Sequence, residues 1–273
     1  MKGKLTALGS GDAFSSGGRG HTAWLLEDER GLAAVDLGAT AVTALRKLGI
    51  DPQTLGAVHF THLHGDHIAG FPFLLVDAVY RARRTEPLVV TGPPGTRERL
   101  QALWAACYAD AAQRPLPFAL EIHELLPGDS RALCGRALTA FRAQHQRPPH
   151  VALSLRLDGP AGLLAFTGDT GPHAGLAELA RGADLLIAEC TDLRAPPDEP
   201  STWGAAADFP AAQGRRHLAW DDLRALLPLL GVRRVLLGHL GEEARAAAAE
   251  IESEARTLGL SLQVCDDLDA IAL

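Results

Sequence analysis

Thr61-His62-Leu63-His64-Gly65-Asp66-His67 packs four side chains able to ligate a metal into six residues. Ala57-Val58-His59-Phe60 precedes the run as a short apolar strand, and Ile68–Ala78 follows it with helical character. On an extended segment side chains alternate faces, so His62, His64 and Asp66 are expected on one side. His67 falls on the other phase, where the chain turns. Imidazole and carboxylate suit Zn²⁺, Mn²⁺ or Fe²⁺. The competing explanation gathers three histidines and an aspartate at one strand end without a task, and it is the weaker one.

The run resembles the signature of the metallo-β-lactamase superfamily, whose members are mostly metal-dependent hydrolases. Further stretches extend the resemblance in order along about residues 1–245. Ala165-Phe166-Thr167-Gly168-Asp169-Thr170 is similar to the strand end that supplies a metal-bridging aspartate. Val235-Leu236-Leu237-Gly238-His239-Leu240 is similar to the late strand that supplies the last histidine. The strand Ala137–Phe141 leads into His145, and Val151–Leu157 follows as the next strand.

The resemblance implies an α/β fold, a four-layer αββα sandwich with metals at one edge. It also implies two divalent ions, with zinc preferred and manganese or iron as alternatives. His62, His64 and His145 would hold one ion. Asp66, His67 and His239 would hold the other, and Asp169 would bridge them. Two ions about 3.5–4 Å apart share a hydroxide and clamp both attacking and leaving oxygens. His150 lies near His145 and competes for its place; the distance to the following strand favours His145. His59 is expected in the core. His21, His123 and His173 have no ligand spacing, although His173 sits four residues after Asp169.

Within the superfamily, Asp184–Thr191 and His217 resemble ribonuclease Z and its phosphodiesterase relatives. There a Glu at that strand end and a His before the next helix form a proton shuttle. Glu189 and His217 take those roles here, with Asp66 as a further catalytic residue. Phosphodiester cleavage expels an alkoxide, which benefits from a positioned acid. Two departures stand out. Asp169 follows His145 by only 24 positions, which leaves no room for the ribonuclease arm that grips transfer RNA. Ala188-Glu189-Cys190-Thr191 stands where the ribonucleases usually have His-Glu-Ala-Thr. Near the N-terminus, Gly9-Ser10-Gly11-Asp12-Ala13 and Arg19 resemble the family's Gly-rich turn and following Arg. Such a turn either cradles an anion, with Arg19 on phosphate, or is a tight strand connection.

Composition fits a single catalytic domain over residues 1–273, with no linker-like stretch and 47% hydrophobic residues for a core. The net charge of −7 argues against broad nucleic-acid binding. The preferred substrate is therefore a small-molecule or nucleotide phosphoester, with nucleic acid possible but not favoured. Cys107, Cys134, Cys190 and Cys265 form no C-x-x-C pair and are expected as buried free thiols in a reducing cytosol. The N-terminus has no signal-peptide order and no segment spans a membrane, so a cytoplasmic protein is expected. A homodimer remains open. Arg194–Gln213, rich in Pro, Ala and Asp, is expected as a long loop over the site.

Three function classes follow. The first is a dinuclear phosphodiesterase, in which an arm-less ribonuclease Z-like endonuclease is one variant. The second is a hydrolase of lactones, thioesters or other carboxylic esters, which gives Glu189 and His217 no task. The third is a non-catalytic metal-binding protein, disfavoured because every ligand position is filled.

Overall fold

Side chains that alternate along a strand need an apolar interior on each face. In Ala23–Asp28, Ala23 and Leu25 enter one interior while Trp24 and Leu26 enter another. In Leu185–Glu189, Leu185 and Ile187 share that second interior, and Leu186 and Ala188 enter a third. Three interiors require four layers. The computed structural model has that arrangement; it describes residues 3–195, 215–232 and 234–273.

The first sheet is built from β1 (Gly3–Gly9), β2 (Ala23–Asp28), β3 (Gly31–Val35), β4 (Leu55–His59), β5 (Leu88–Gly92) and β6 (Leu120–Glu124). The second is built from β7 (Ser130–Leu133), β8 (Arg136–Arg142), β9 (Leu153–Gly159), β10 (Gly162–Phe166), β11 (Leu185–Glu189), β12 (Arg234–Gly238) and β13 (Ser261–Val264). The final strand, β14 (Ala270–Ala272), returns to pair antiparallel with β1. β3 to β6 run parallel, as do β10 to β13. Parallel strands align their carboxyl ends on one edge, where ligand sites of α/β folds collect.

Helices α1 (Ala41–Lys47), α2 (Gly65–Ile68), α3 (Phe71–Val76), α4 (Thr96–Cys107) and α5 (Ala109–Ala112) lie on the side of the first sheet. Leu45, Leu74 and Leu100 carry α1, α3 and α4 into its outer interior. Helices α6 (Gly175–Ala180), α7 (Trp220–Leu230), α8 (Glu242–Ala246) and α9 (Ala248–Thr257) cover the second sheet, with Leu179, Leu223 and Ile251 as anchors.

The expected αββα sandwich is the observed architecture. Three local expectations change. The helix after the histidine run begins at Gly65, not Ile68, and breaks before Phe71-Pro72. The proline lacks the amide that would continue the hydrogen-bond ladder. A helical pattern also runs over Glu242–Leu258 in the sequence, but the helix is divided at Ala247. The sequence does not mark β6 and β14 as strands, for each is five residues or fewer and its partner strand is distant in sequence. Of the expected Arg194–Gln213 loop, residues 196–213 lie outside the described residues.

One ion pair clasps the two sheets. Arg136 on β8 donates from Nε to Asp28 Oδ2 at 2.9 Å, and Nη2 bonds both Asp28 Oδ1 at 2.5 Å and the Gly31 carbonyl at 2.8 Å. The side chains are 3% and 0% exposed. Arg136→Ala would leave a buried carboxylate unpaired, so it is expected to lower stability by about 3–5 kcal/mol. Chemical denaturation measures this; a loss under about 1 kcal/mol, typical of surface pairs, would contradict it.

Candidate metal centre

The carboxyl ends of the parallel strands deliver the site. Asp36 follows β3, the histidine run follows β4, Asp169 follows β10, Glu189 ends β11 and His239 follows β12. His145 comes from the turn after β8, and His217 from the segment before α7. Arms between His145 and Asp169 are absent: that stretch is used by β9, β10 and their turns.

Two groups of donors form. His62, His64 and His145 converge in one, and Asp66, His67, Asp169 and His239 in the other, all within 4.8 Å of one another in each group. His145 Nε2 lies 3.0 Å from His64 Nδ1. Asp169 faces both groups. Its carboxylate is 3.7 Å from His62 Nε2, 3.3 Å from His67 Nε2 and 3.2 Å from His239 Nε2. Asp66 is 3.2 Å from His67 Nε2 and 3.4 Å from His239 Nε2. The alternation argument holds for His62 and His64 but not for Asp66, which sits in the first turn of α2 and joins the second group.

Two carboxylate–threonine pairs, one from each sheet, fix which imidazole nitrogen faces the centre. Asp36 accepts from Thr61 Oγ1 at 2.9 Å and from His67 Nδ1 at 2.9 Å. The Thr61 hydroxyl proton is thereby used, so its oxygen accepts from His62 Nδ1 at 3.2 Å. On the opposite side Glu189 accepts from Thr191 Oγ1 at 2.6 Å and from His217 Nδ1 at 2.9 Å. Thr191 in turn accepts from His239 Nδ1 at 2.9 Å. His145 Nδ1 donates to the Arg216 carbonyl at 3.1 Å. Each donated Nδ1–H leaves Nε2 directed inward, with a lone pair on neutral His62 and His145; burial opposes charge on His67, His217 and His239, but their carboxylate neighbours raise all three, and His217 keeps its Nε2 proton.

These donors fit a divalent metal. His62 Nε2 and His67 Nε2 are buried without a hydrogen-bond partner. Lone pairs and two carboxylates crowded together in a dry pocket repel one another unless a cation lies among them. Asp36 and His239 also hold positive φ, 58° and 50°, a conformation that costs non-glycine residues energy and collects at functional sites.

Electrostatics follow the same division. Burial, then His67, holds the His62 imidazole well below its ordinary pKa, and burial lowers His145 to about 4. Both are neutral, as ligand imidazoles must be. Burial opposes ionisation of Asp169, but His239, His67 and His62 keep its carboxyl well below the usual range. Burial also works against charge on His217, yet Glu189 beside it raises the pKa to about 9.

The remaining residues sort clearly. His150 is exposed, and the structure places His145, not His150, in the cluster. His59 is buried against Thr91 at 3.0 Å, as expected of a core residue. His173 Nδ1 accepts from the Gly175 amide at 3.1 Å. Cys107 and Cys134 are exposed, contrary to the expectation of buried thiols; Cys190 and Cys265 are buried. Burial and Glu189 push the Cys190 thiol far up, so it stays protonated. The Gly-rich turn is a strand connection whose amides are occupied by protein carboxylates, one of its own and one from near the C-terminus. Asp12 accepts from Phe14 and Ser16, Asp267 accepts from Ser10 and Gly20, and Arg19 pairs with Asp266 at 3.0 Å.

Sequence reasoning missed Asp36, Thr61 and the role of Thr191. Thr191 touches Glu189, His217 and His239. Thr191→Val keeps the shape but removes the hydroxyl, so metal affinity is expected to fall about 10–100-fold. Competition with a chromogenic chelator reads this out; unchanged affinity would remove Thr191 from the centre.

A family model described as Beta-lactamase superfamily domain matches residues 34–240, a stretch that contains every donor above. The chain belongs to the β-lactamase superfamily. Ribonuclease Z of Methanothermobacter thermautotrophicus is 26% identical over 311 residues, covering 97% of this chain and 95% of the relative. The aligned length exceeds the 273 residues of this chain, so the relative carries segments that this chain lacks. Among solved structures, the metallo-beta-lactamase fold protein YhfI from Bacillus subtilis superposes with a TM-score of 0.76, 18% identity and 98% of each chain covered. A diphosphatase from the PhnP family superposes with a TM-score of 0.72, 16% identity, and 99% and 98% covered.

This superfamily member is a metal-dependent hydrolase. The expectation that nucleic acid is disfavoured does not agree with its ribonuclease Z relatives. Net charge describes the whole surface, whereas a nucleic acid meets only the local field at the site. No helix among the described residues is long and apolar enough to cross a membrane.

Proposed function

We propose that the protein is a phosphodiesterase with two divalent ions, held by His62, His64 and His145 on one side and Asp66, His67 and His239 on the other, with Asp169 between them. When bound, such ions supply Lewis acidity and a nucleophile at neutral pH. The supporting observation is the His217–Glu189 pair at 2.9 Å, placed beside the cluster. The His217 ring stacks on His239 with centroids 5.4 Å apart and meets His145 edge-on at 4.8 Å. Nδ1 is committed to Glu189, so Nε2 carries the proton that a departing alkoxide takes. Glu189 holds the ring in place and stabilises its charge. A thioester hydrolase has less need of this acid, because a thiolate leaves more readily than an alkoxide; lactones and simple carboxylic esters also expel an alkoxide, so a substrate panel separates them from phosphodiesters.

RNA is the second substrate class, supported by the ribonuclease Z relatives. The missing arm weighs against transfer RNA, and the diphosphatase neighbour keeps small phosphoesters in view. Purified, metal-loaded protein should cleave bis-p-nitrophenyl phosphate and short RNA oligonucleotides, and act poorly on a lactone and a thioester. Fast lactone turnover without phosphodiester cleavage would assign the carboxylic-ester class instead.

A further inference from the structure

Gly171, two residues after Asp169, lies directly under the segment that carries His217. A Cβ on Gly171 would stand 1.6 Å from the Arg215 carbonyl oxygen and 2.6 Å from its carbon, so no side chain fits there unless that backbone moves. Gln144 completes the seat. Its Nε2 donates to the same Arg215 carbonyl at 3.3 Å, and its own carbonyl accepts from Gly171 N at 2.9 Å. Asp222 holds the segment from the other end. Its two oxygens each accept from the Arg215 guanidinium at 2.6 Å, and Oδ2 also caps Ala219 N at 3.0 Å before α7. The Arg215 and Asp222 side chains are 18% and 10% exposed, so solvent screens the pair little.

Two duties of the segment meet in one peptide bond. The Arg216 carbonyl accepts the Nδ1 proton of His145, a donor of the first group, at 3.1 Å. The His217 amide belongs to the same rigid peptide plane. His217 Nδ1 donates in turn to Glu189 Oε2 at 2.9 Å, while Glu189 Oε1 accepts from Thr170 N. Thr170 Oγ1 accepts from Gln144 N at 2.8 Å. A closed ring of hydrogen bonds thus runs through Glu189, Thr170, Gln144, Arg215 and His217, and it touches the chain neighbours of Asp169 and His145.

We propose, resting on the phosphodiesterase reading above, that Gly171, Gln144 and Asp222 are positioning residues. They seat Arg215–His217 so that one peptide unit both orients His145 as a ligand and presents His217 to the leaving group. Seating of the acid and metal binding by the first group are then coupled, and each favours the other to the same degree. An acid displaced by about 1 Å loses about 10²-fold in rate. A ligand histidine that loses the acceptor of its other ring nitrogen holds metal about 10–100-fold less tightly.

Gly171→Ala is the direct test, since it adds one methyl group outside the donor groups and removes no hydrogen-bonding atom. At saturating zinc the variant should lose about 10²-fold in kcat on the dinucleotide UpU, whose leaving group needs a proton. Its loss on bis-p-nitrophenyl phosphate should stay below about 10-fold, because that leaving group needs none. Competition with a chromogenic chelator should show zinc affinity lowered about 10–100-fold. Proton NMR of the zinc-loaded protein reads the seat without turnover. Imidazole N–H protons held in buried hydrogen bonds exchange slowly and resolve downfield. The His145 and His217 signals, assigned by their absence in His145→Gln and His217→Gln, should disappear together in Gly171→Ala while the other downfield signals stay. Asp222→Asn keeps an oxygen for Ala219 N but loses the charge that grips Arg215. It should repeat the pattern more weakly, and it carries the test if Gly171→Ala does not fold. Equal losses on the two esters, or His145 and His217 signals that survive both substitutions, would overturn the coupling. If wild-type protein cleaves neither ester, the phosphodiesterase reading falls, and the paired loss of the two N–H signals still decides the seat.

Discussion

Asp169→Ala should reduce turnover by at least about 10³-fold, since in the proposed centre this shared carboxylate would hold two ions in register and metal assistance is worth several kcal/mol. Asp169 is the carboxylate that faces both donor groups, within 3.2–3.8 Å of His62, His67, His145 and His239. Without it the second group keeps Asp66 alone as an anionic ligand. Elemental analysis should give close to two transition-metal ions per wild-type chain and about one in the variant. The effect should also appear without turnover. The variant removes one of the buried carboxylates that compensate charge in the pocket, so zinc added to the apoprotein should raise its melting temperature far less than it raises the wild type's. A variant that keeps two tightly bound ions would show that Asp169 does not join the groups. Wild-type protein that binds no transition metal after reconstitution would remove the metal centre altogether.

His217→Ala should leave metal content nearly unchanged and cost about 10²–10⁴-fold in turnover on an ester with a poor leaving group, such as a dinucleotide. The loss on bis-p-nitrophenyl phosphate should be far smaller, because p-nitrophenolate departs without a proton. Glu189→Gln should show a weaker form of the same selectivity, for it still accepts from Nδ1 but no longer stabilises the imidazolium. The pH dependence has a definite sign. In the proposed mechanism His217 acts in its protonated form, and Glu189 holds its pKa up to about 9 against the effect of burial. Bound cations work the other way and lower it. Turnover of the poor substrate should therefore fall as pH rises through a value at or below about 9, and His217→Ala should lose that limb. Equal losses on good and poor leaving groups would make His217 a substrate- or metal-binding residue instead.

His62, His64, Asp66 and His67 were legible in the sequence because they lie within one short run, and spacing along a chain is the property a sequence records directly. The alternation of apolar strands and helices pointed to helices packed on sheets for a similar reason, since periodicity is local and each strand's two faces demand an interior, while the αββα arrangement itself was reached through resemblance. His145, Asp169, Glu189, His217 and His239 were reached through resemblance, since nothing local marks a single histidine or carboxylate as part of a site.

The tertiary structure decided what depends on residues far apart in the chain. Asp36 meets Thr61 and His67, and Glu189 meets Thr191, His217 and His239, only when the strand ends assemble on one edge. Those hydrogen bonds select the tautomers, and a tautomer has no sequence signature. The Gly-rich turn was open to two readings until folding brought Asp267 onto its amides across 257 positions. The His145 turn and the segment before α7 likewise meet only in the fold, through the bond from His145 Nδ1 to the Arg216 carbonyl. Composition assigns the chain a net negative charge, but the field at the site is set by which few charges the fold places there.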